Sequence, residues 1–251
     1  MKLTYEQREH LLEHGYVKLP GVVPKLMVDE AVKAINHSVG EGMDTERMPI
    51  FRSQSYCPEL QRDPVITGLL NKTPIWELAE SVIGEGKLKP AGAGQIALRF
   101  PAAAELNSLR TGYHLDGMHS PNNGVPKGVI ANFTALVGVF LSDLPKPNAG
   151  NFTVWPGTHR LFEAYFREHG PDALLNGMPP VPMPEPVQIT GQAGDAVLVH
   201  YQVAHGIGPN VSPNIRYACF FRLKHVDHDL DWRAPMRNIW LHWPGIQSLG
   251  R

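Results

Sequence analysis

The sequence lacks the features that tie a protein to a disulfide framework, a membrane or a nucleic acid. Its only two cysteines among 251 residues, Cys57 and Cys219, lie far apart, which argues against a disulfide-stabilised scaffold. No stretch approaches the ~18 apolar residues of a membrane span, and the N-terminus lacks the apolar segment of a signal peptide. The formal net charge is only −1, without a basic run. We therefore expect a soluble, cytoplasmic protein with no membrane or nucleic-acid partner.

A phosphate-binding glycine loop and internal repeats are also missing. Gly84-Glu85-Gly86 and Gly92-Ala93-Gly94 neither follow a predicted strand nor open a predicted helix, so a dinucleotide site is not expected. Hydrophobic residues make up 43% and charged residues 19% of the chain, which is typical of a globular protein with a sizeable core. The sequence shows no clear boundary, and we predict a single domain over residues 1–251.

The N-terminal part has the signals of helices. Thr4 and Gln7 fit a capping box, and Gly15 supplies a helix stop after His14. A short strand is predicted over residues 16–19, and helices over residues 25–39 and 74–83. Most of residues 40–75 are irregular and rich in Pro, Arg and Ser, and they predict no element except the start of that last helix.

The character of the sequence changes at Lys89 to short apolar runs separated by Gly, Pro and Asn. Few helical patterns intervene, which is typical of an all-β barrel or jelly roll. The predicted fold class is therefore mainly β, with N-terminal α-helices flanking the sheets. The apolar runs cover residues 95–100, 129–141, 152–155, 195–200 and 215–223.

A short polar motif, His114-Leu115-Asp116, is the strongest sign of chemistry. Alternate residues of an extended chain point to one side, so His114 and Asp116 share a face. Together they form two thirds of the two-histidine, one-carboxylate set that binds iron(II). The third ligand should be a distant histidine, either His200 or His205. We favour His205, because its place at a strand end beside glycines leaves room for a metal and small co-ligands.

Arg216 lies eleven positions after His205, in an otherwise apolar strand. Burying a guanidinium is costly unless an anion pairs with it. A dicarboxylate co-substrate held by a bidentate ion pair would supply that anion. A structural pair with an internal Asp or Glu is the alternative.

The ordered combination of these motifs resembles the phytanoyl-CoA dioxygenase-like family. The resemblance implies a double-stranded β-helix (jelly-roll) fold that uses non-haem iron(II), 2-oxoglutarate and O₂. It rests on His114-x-Asp116, Asn148-Ala149-Gly150-Asn151, Pro156-Gly157-Thr158-His159, Gly194-Asp195, His205-Gly206 through Asn210, Arg216, and the opening Glu13-His14-Gly15-Tyr16-Val17 with Pro20-Gly21-Val22-Val23.

The resemblance also implies roles for single residues. His114, Asp116 and His205 would hold iron, and Arg216 would bind the distal carboxylate of 2-oxoglutarate. A co-substrate-lining residue would fall near Asn132, with Thr134 as an alternative on the same face. His159 would be structural. The residues that we expect in the substrate pocket are Arg99, Tyr113, Met118, His119 and Trp155.

The expected function is oxidation, most simply hydroxylation, of a C–H bond in a small-molecule substrate, with succinate and CO₂ as co-products. Two other classes stay open. One is a metal-dependent isomerase or hydrolase of the cupin type that uses no 2-oxoglutarate, which Arg216 argues against. The other is a catalytically silent binding protein, which the complete set of ligands argues against. The sequence does not identify the substrate.

Overall fold

The computed structural model describes residues 1–102 and 111–249, and its N-terminal elements begin and end at the predicted signals. Helix α1 (Tyr5–His14) starts at the capping box formed by Thr4 and Gln7. It ends at Gly15, whose φ of 79° is a left-handed conformation that glycine adopts without strain. Strand β1 (Tyr16–Leu19) and helix α2 (Lys25–Gly40) follow as expected.

Further helices occur in regions where the sequence predicted none. The expected helix is α5 (Pro74–Ile83). Helices α3 and α4 lie in the segment interpreted as irregular, and α6 begins within the Pro-Gly-Thr-His sequence, at Thr158. The remaining α-helices of the described ranges are α3 (Met48–Ser53), α4 (Pro64–Asn71), α6 (Thr158–His169), α7 (Ala234–Arg237) and α8 (Pro244–Gln247), and 3₁₀ turns cover Thr45–Arg47, Pro58–Leu60 and Pro171–Asn176.

Two antiparallel sheets form the centre of the molecule. The larger has the strand order β1-β6-β3-β8-β2 and the smaller has the order β5-β4-β7. An isolated antiparallel bridge between His114 and His205 extends the smaller sheet beside β7. The strands after β1 are β2 (Gln95–Arg99), β3 (Ala135–Phe140), β4 (Phe152–Val154), β5 (Val187–Gln188), β6 (Ala196–His200), β7 (His205–Ile207) and β8 (Arg216–Leu223).

More of the described residues lie in helices than in strands. The predicted antiparallel sheets are present, and helices hold a larger share of the chain than the sequence predicted. The predicted strand that starts at Val129 begins only at Ala135, because residues before it run as a loop. Helix α6 also occupies a region that was expected to contain only strands and turns.

Strand β8 separates the two parts of the hydrophobic core. Cys219 and Phe221 face the helices on the outer side of the larger sheet. Ala218 and Phe220 face the opposite way, where they join a cluster with side chains of the smaller sheet such as Phe152. Side chains alternate along a strand, so Arg216 and Arg222 have the same parity as Phe220 and belong to the inner side.

The C-terminal segment packs against this framework. Trp243 is almost completely buried in the outer core, and Ile239 lies beneath the sheet end at His200. In the described residues, no helix combines the length and the apolar character that crossing a bilayer requires.

Candidate metal centre

Backbone pairing between two distant segments places His114 beside His205. The amide of His114 donates to the carbonyl of His205 at 3.0 Å, and the amide of His205 donates to the carbonyl of His114 at 3.1 Å. The two imidazole ring centroids are consequently 4.6 Å apart. Asp116 lies two positions after His114 on the same side, as the alternation predicts.

The three side chains present ligand atoms to one common point. Asp116 Oδ1 is 3.3 Å from Nε2 of His114 and 3.6 Å from Nε2 of His205. All three ligand atoms lie within 4.8 Å of one another. The Asp116 and His205 side chains are 11% and 7% exposed, whereas His114 is 53% exposed. This donor set, open to solvent on one side, is the type that binds iron(II) in non-haem enzymes.

The tautomer of His205 is fixed by a backbone carbonyl. Its Nδ1 lies 3.0 Å from the carbonyl oxygen of Val203, which can only accept a hydrogen bond. Nδ1 therefore carries the proton, and the lone pair of Nε2 faces Asp116 and is free for a metal. The residues present thus fit a bound metal ion in both composition and protonation.

Arg222 is a neighbour of the centre that the sequence interpretation missed. Its Nε donates to Oδ2 of Asp116 at 2.9 Å, and its Nη2 is 2.8 Å from the same oxygen. Burial raises the pKa of Asp116, but the charge of Arg222 and the neighbouring histidines outweigh it and hold that pKa well below its usual range. The sequence did contain a sign of this position, because Arg222 has the same parity as Arg216 on β8 and therefore faces the same side of the sheet.

His200, the competing ligand candidate, is a core residue. Its Nε2 donates to the carbonyl of Ile239 at 2.8 Å, and its Nδ1 accepts from the amide of Gln202 at 3.0 Å. Both ring nitrogens are therefore used. Burial lowers the pKa of His200 to about 4, so the ring is neutral. His159 is equally buried, with Nε2 3.3 Å from the carbonyl oxygen of Leu12.

Arg216 is buried, and none of the described residues that shift its pKa is acidic. Its Nε donates to the carbonyl of Gly150 at 2.8 Å, and its Nη1 donates to the carbonyl of Ala97 at 2.9 Å. Arg99 lies directly opposite on β2. Burial, followed by the charge of Arg99, lowers the pKa of Arg216 to about 9, so it remains a cation at neutral pH.

Asn132 and Thr134 lie at the other end of the larger sheet from Arg216. The Asn132 amide contacts the carbonyl of Trp232 at 2.9 Å and Nε2 of His228 at 3.0 Å. Thr134 Oγ1 accepts from the amide of His225 at 2.9 Å. The structure does not bring these two residues together with Arg216, because the register places Thr134 beside Leu223, at the opposite end of β8.

The expected pocket residues fall into separate places. Tyr113 and Trp155 pack together next to the metal ligands, with ring centroids 5.3 Å apart. Arg99 lies beside Arg216 over Gly150. Met118 and His119 belong to a loop after Asp116, in which His119 Nδ1 contacts the carbonyl of Val125.

A cavity of about 420 Å³ lies elsewhere, and none of these five residues lines it. Its walls include Gln54, Lys89, Gln95, Phe220, Arg222 and Lys224. The sequence interpretation assigned none of these residues, because the cavity combines three segments that are distant in the chain.

Comparison with known proteins agrees with this arrangement. The phytanoyl-CoA dioxygenase (PhyH) family profile matches residues 11–218. The chain belongs to this family. Comparison with curated protein sequences gives no match.

Several solved structures share the fold at low sequence identity. SnoK, a non-heme alpha-ketoglutarate-dependent carbocyclase from nogalamycin biosynthesis, is 20% identical, with 91% of this chain and 90% of that chain covered and a TM-score of 0.55. HygX from Streptomyces hygroscopicus, with nickel and 2-oxoglutarate bound, is 18% identical, with 90% and 88% covered and a TM-score of 0.57. The non-heme monooxygenase ThoJ is 17% identical, with 87% and 77% covered and a TM-score of 0.58.

Proposed function

We propose that this PhyH family member is a non-haem iron(II)- and 2-oxoglutarate-dependent oxygenase that hydroxylates a C–H bond of a small-molecule substrate. The observation that carries the proposal is the convergence of His114, Asp116 and His205 on one point, with Nε2 of His205 kept free by Val203. We also infer that the two sheets form the double-stranded β-helix of one catalytic domain. The strand order and the likeness to SnoK support that inference.

Each residue has a definite task in this proposal. His114, Asp116 and His205 would hold iron(II), the metal that this set of donors binds in non-haem oxygenases. Iron(II) with 2-oxoglutarate and O₂ supplies the oxidising power, and the co-substrate leaves as succinate and CO₂. The buried residues around His205 and Asp116 restrict the access of water to the site.

Arg216 would bind the distal carboxylate of 2-oxoglutarate. Two of its five N–H groups donate to the carbonyls of Gly150 and Ala97, which fixes the plane of the guanidinium. The others are available to a carboxylate. A buried cation that is held by carbonyls alone is expensive to maintain unless an anion binds it. This need for an anion favours an oxygenase over an isomerase or hydrolase that uses no 2-oxoglutarate.

The reaction outcome needs direct measurement, because the structural relatives include a carbocyclase, an epimerase and a monooxygenase. We propose hydroxylation as the simplest outcome, in which one atom of labelled O₂ enters the product and one enters succinate. Mass spectrometry of both compounds tests this outcome. A product that has lost two hydrogens and carries no label would instead identify desaturation or ring formation.

The central test is an anaerobic titration of the protein with iron(II) and 2-oxoglutarate. Bidentate binding of the co-substrate to the metal gives a weak visible charge-transfer band, which we expect for the native protein. Asp116→Ala should abolish the band, and Arg233→Gln, at an exposed arginine that pairs with Asp172, should preserve it. Metal binding without the band would contradict the oxygenase proposal, and no metal binding would identify a silent family member.

A further inference from the structure

The cavity of about 420 Å³ lies at the β2 edge of the larger sheet, and Arg222 is part of its lining. Phe220 and Gln95, which are paired in register across β8 and β2, form its inner wall. The amide of Lys89 donates to the carbonyl of Lys224 at 2.9 Å and joins the two segments at its outer end. The volume is in the range of small-molecule sites.

Two chains of contact connect this cavity to the metal ligands. Arg222 lines the cavity and also contacts Oδ2 of Asp116. Phe220 packs against Phe152, with ring centroids 5.2 Å apart, and Phe152 packs against His205 at 5.5 Å. One side chain, Arg222, separates the cavity from Asp116, and two side chains, Phe220 and Phe152, separate it from His205.

The charges on the cavity wall have one sign. Lys89, Arg222 and Lys224 are part of its lining, and no acidic residue is among the described residues that line it. Both lysines share a single carboxylate, Asp229, with distances of 2.8 Å each. Arg222 is engaged by Asp116, which the metal would also require. The three cationic side chains are thus paired with only two carboxylates, Asp229 and Asp116, which leaves an excess of positive charge at the cavity wall.

We propose that this cavity binds the organic substrate and that the substrate carries an anionic group. The lysines at the outer end would hold that group, and the apolar part of the substrate would lie against Phe220, directed toward the metal. Gln54 and Gln95 add amide groups for further polar atoms. The inference rests on the proposed function, since it uses the metal centre as the reacting site.

The test compares two probes of nearly equal shape and different charge, benzoate and benzamide. Both are titrated into protein loaded with nickel(II) and 2-oxoglutarate, so that the co-substrate site is already filled and no turnover occurs. Calorimetry should show benzoate binding at least about tenfold more tightly than benzamide, the factor expected for one charge-assisted hydrogen bond. The nickel–2-oxoglutarate spectrum must persist at saturation.

Matched variants identify the site of binding. Lys224→Gln should weaken benzoate binding about tenfold, because one charge-assisted contact is lost. Lys224→Arg should retain it, and Lys25→Gln, at an exposed lysine paired with Asp29, should not change it. Equal binding of benzamide, no binding of benzoate, or displacement of 2-oxoglutarate by benzoate would overturn the inference. If 2-oxoglutarate itself fails to bind the nickel protein, the proposed function fails instead.

Discussion

Arg222 holds one oxygen of the Asp116 carboxylate and leaves the other to the two histidines. Nε and Nη2 of Arg222 both lie within 2.9 Å of Oδ2, while Oδ1 faces the two histidines. A carboxylate oxygen that two charged N–H groups already hold is a poor second ligand for a metal. Arg222 would therefore leave Oδ1 as the oxygen of Asp116 that holds a metal ion.

Replacing Arg222 should weaken the metal centre without unfolding the protein. We expect Arg222→Met to lower nickel(II) affinity roughly 10- to 100-fold, the usual cost of losing a partner that orients a metal ligand. Arg222→Lys should recover part of the loss, because it keeps one charged donor. Calorimetric titration of the metal-free protein measures the effect. Arg233→Met is the control, since it breaks an exposed pair with Asp172, and equal affinity in Arg222→Met and native protein would contradict the orienting role.

A second set of variants should show that the three ligand residues are needed for iron binding and that His200 is needed only for stability. His114→Ala, Asp116→Ala and His205→Ala should each greatly reduce the iron content of the purified protein. His200→Ala should retain iron but lose stability by about 1–3 kcal/mol, because the buried carbonyl of Ile239 loses its donor. Metal analysis combined with urea unfolding distinguishes the two effects. Iron lost from His200→Ala and kept by His205→Ala would reverse the assignment.

Local signals in the sequence predicted the N-terminal elements and two of the three candidate metal ligands, His114 and Asp116. The Thr4 capping box and the stop at Gly15 depend on neighbouring residues only. The common side of His114 and Asp116 likewise follows from the alternation of one extended segment. Short helices were harder to predict: α3 has six residues and α4 has eight, too few turns to show a clear period.

Long-range contacts explain what the sequence did not predict. The link between Arg222 and Asp116 spans 106 positions, and its existence depends on how β8 pairs with β3 and β2. The cavity similarly needs the segment before β2, the end of β8 and Gln54 to meet. The use of Asn132 and Thr134 by the C-terminal segment also depends on tertiary packing, which a strand pattern does not contain.

Buried histidines should make the fold sensitive to mild acid. Burial lowers the pKa of His159 to about 3 and of His200 to about 4, against 6.5 for an exposed ring. Their contribution to stability is complete above about pH 6.5 and is lost as the pH falls toward those values, because only the unfolded chain then takes up the protons. When the pH falls from about 7.5 to about 5.5, each of these histidines should lower the free energy of unfolding by about 1 kcal/mol.

Urea unfolding at the two pH values measures this dependence. His200→Gln keeps a donor for the Ile239 carbonyl and removes one titrating group, so its pH slope should be shallower than that of the native protein. His37→Gln is the control, because His37 is exposed on α2. An unchanged slope in His200→Gln would show that the acid sensitivity has another origin.

Arg216 should govern the co-substrate and leave the metal in place. Removing one partner of a buried ion pair costs about 3–5 kcal/mol, so Arg216→Ala should raise the apparent 2-oxoglutarate requirement by about two to four orders of magnitude. Iron content should remain that of the native protein, because Arg216 contacts the carbonyls of Gly150 and Ala97 and no metal ligand. Arg99→Ala offers a matched control: this exposed arginine lies opposite Arg216 on β2, and its loss should change the requirement by less than about tenfold. Unchanged co-substrate dependence in Arg216→Ala would remove the main argument for 2-oxoglutarate, whereas a larger effect from Arg99→Ala would move the carboxylate site to the neighbouring strand.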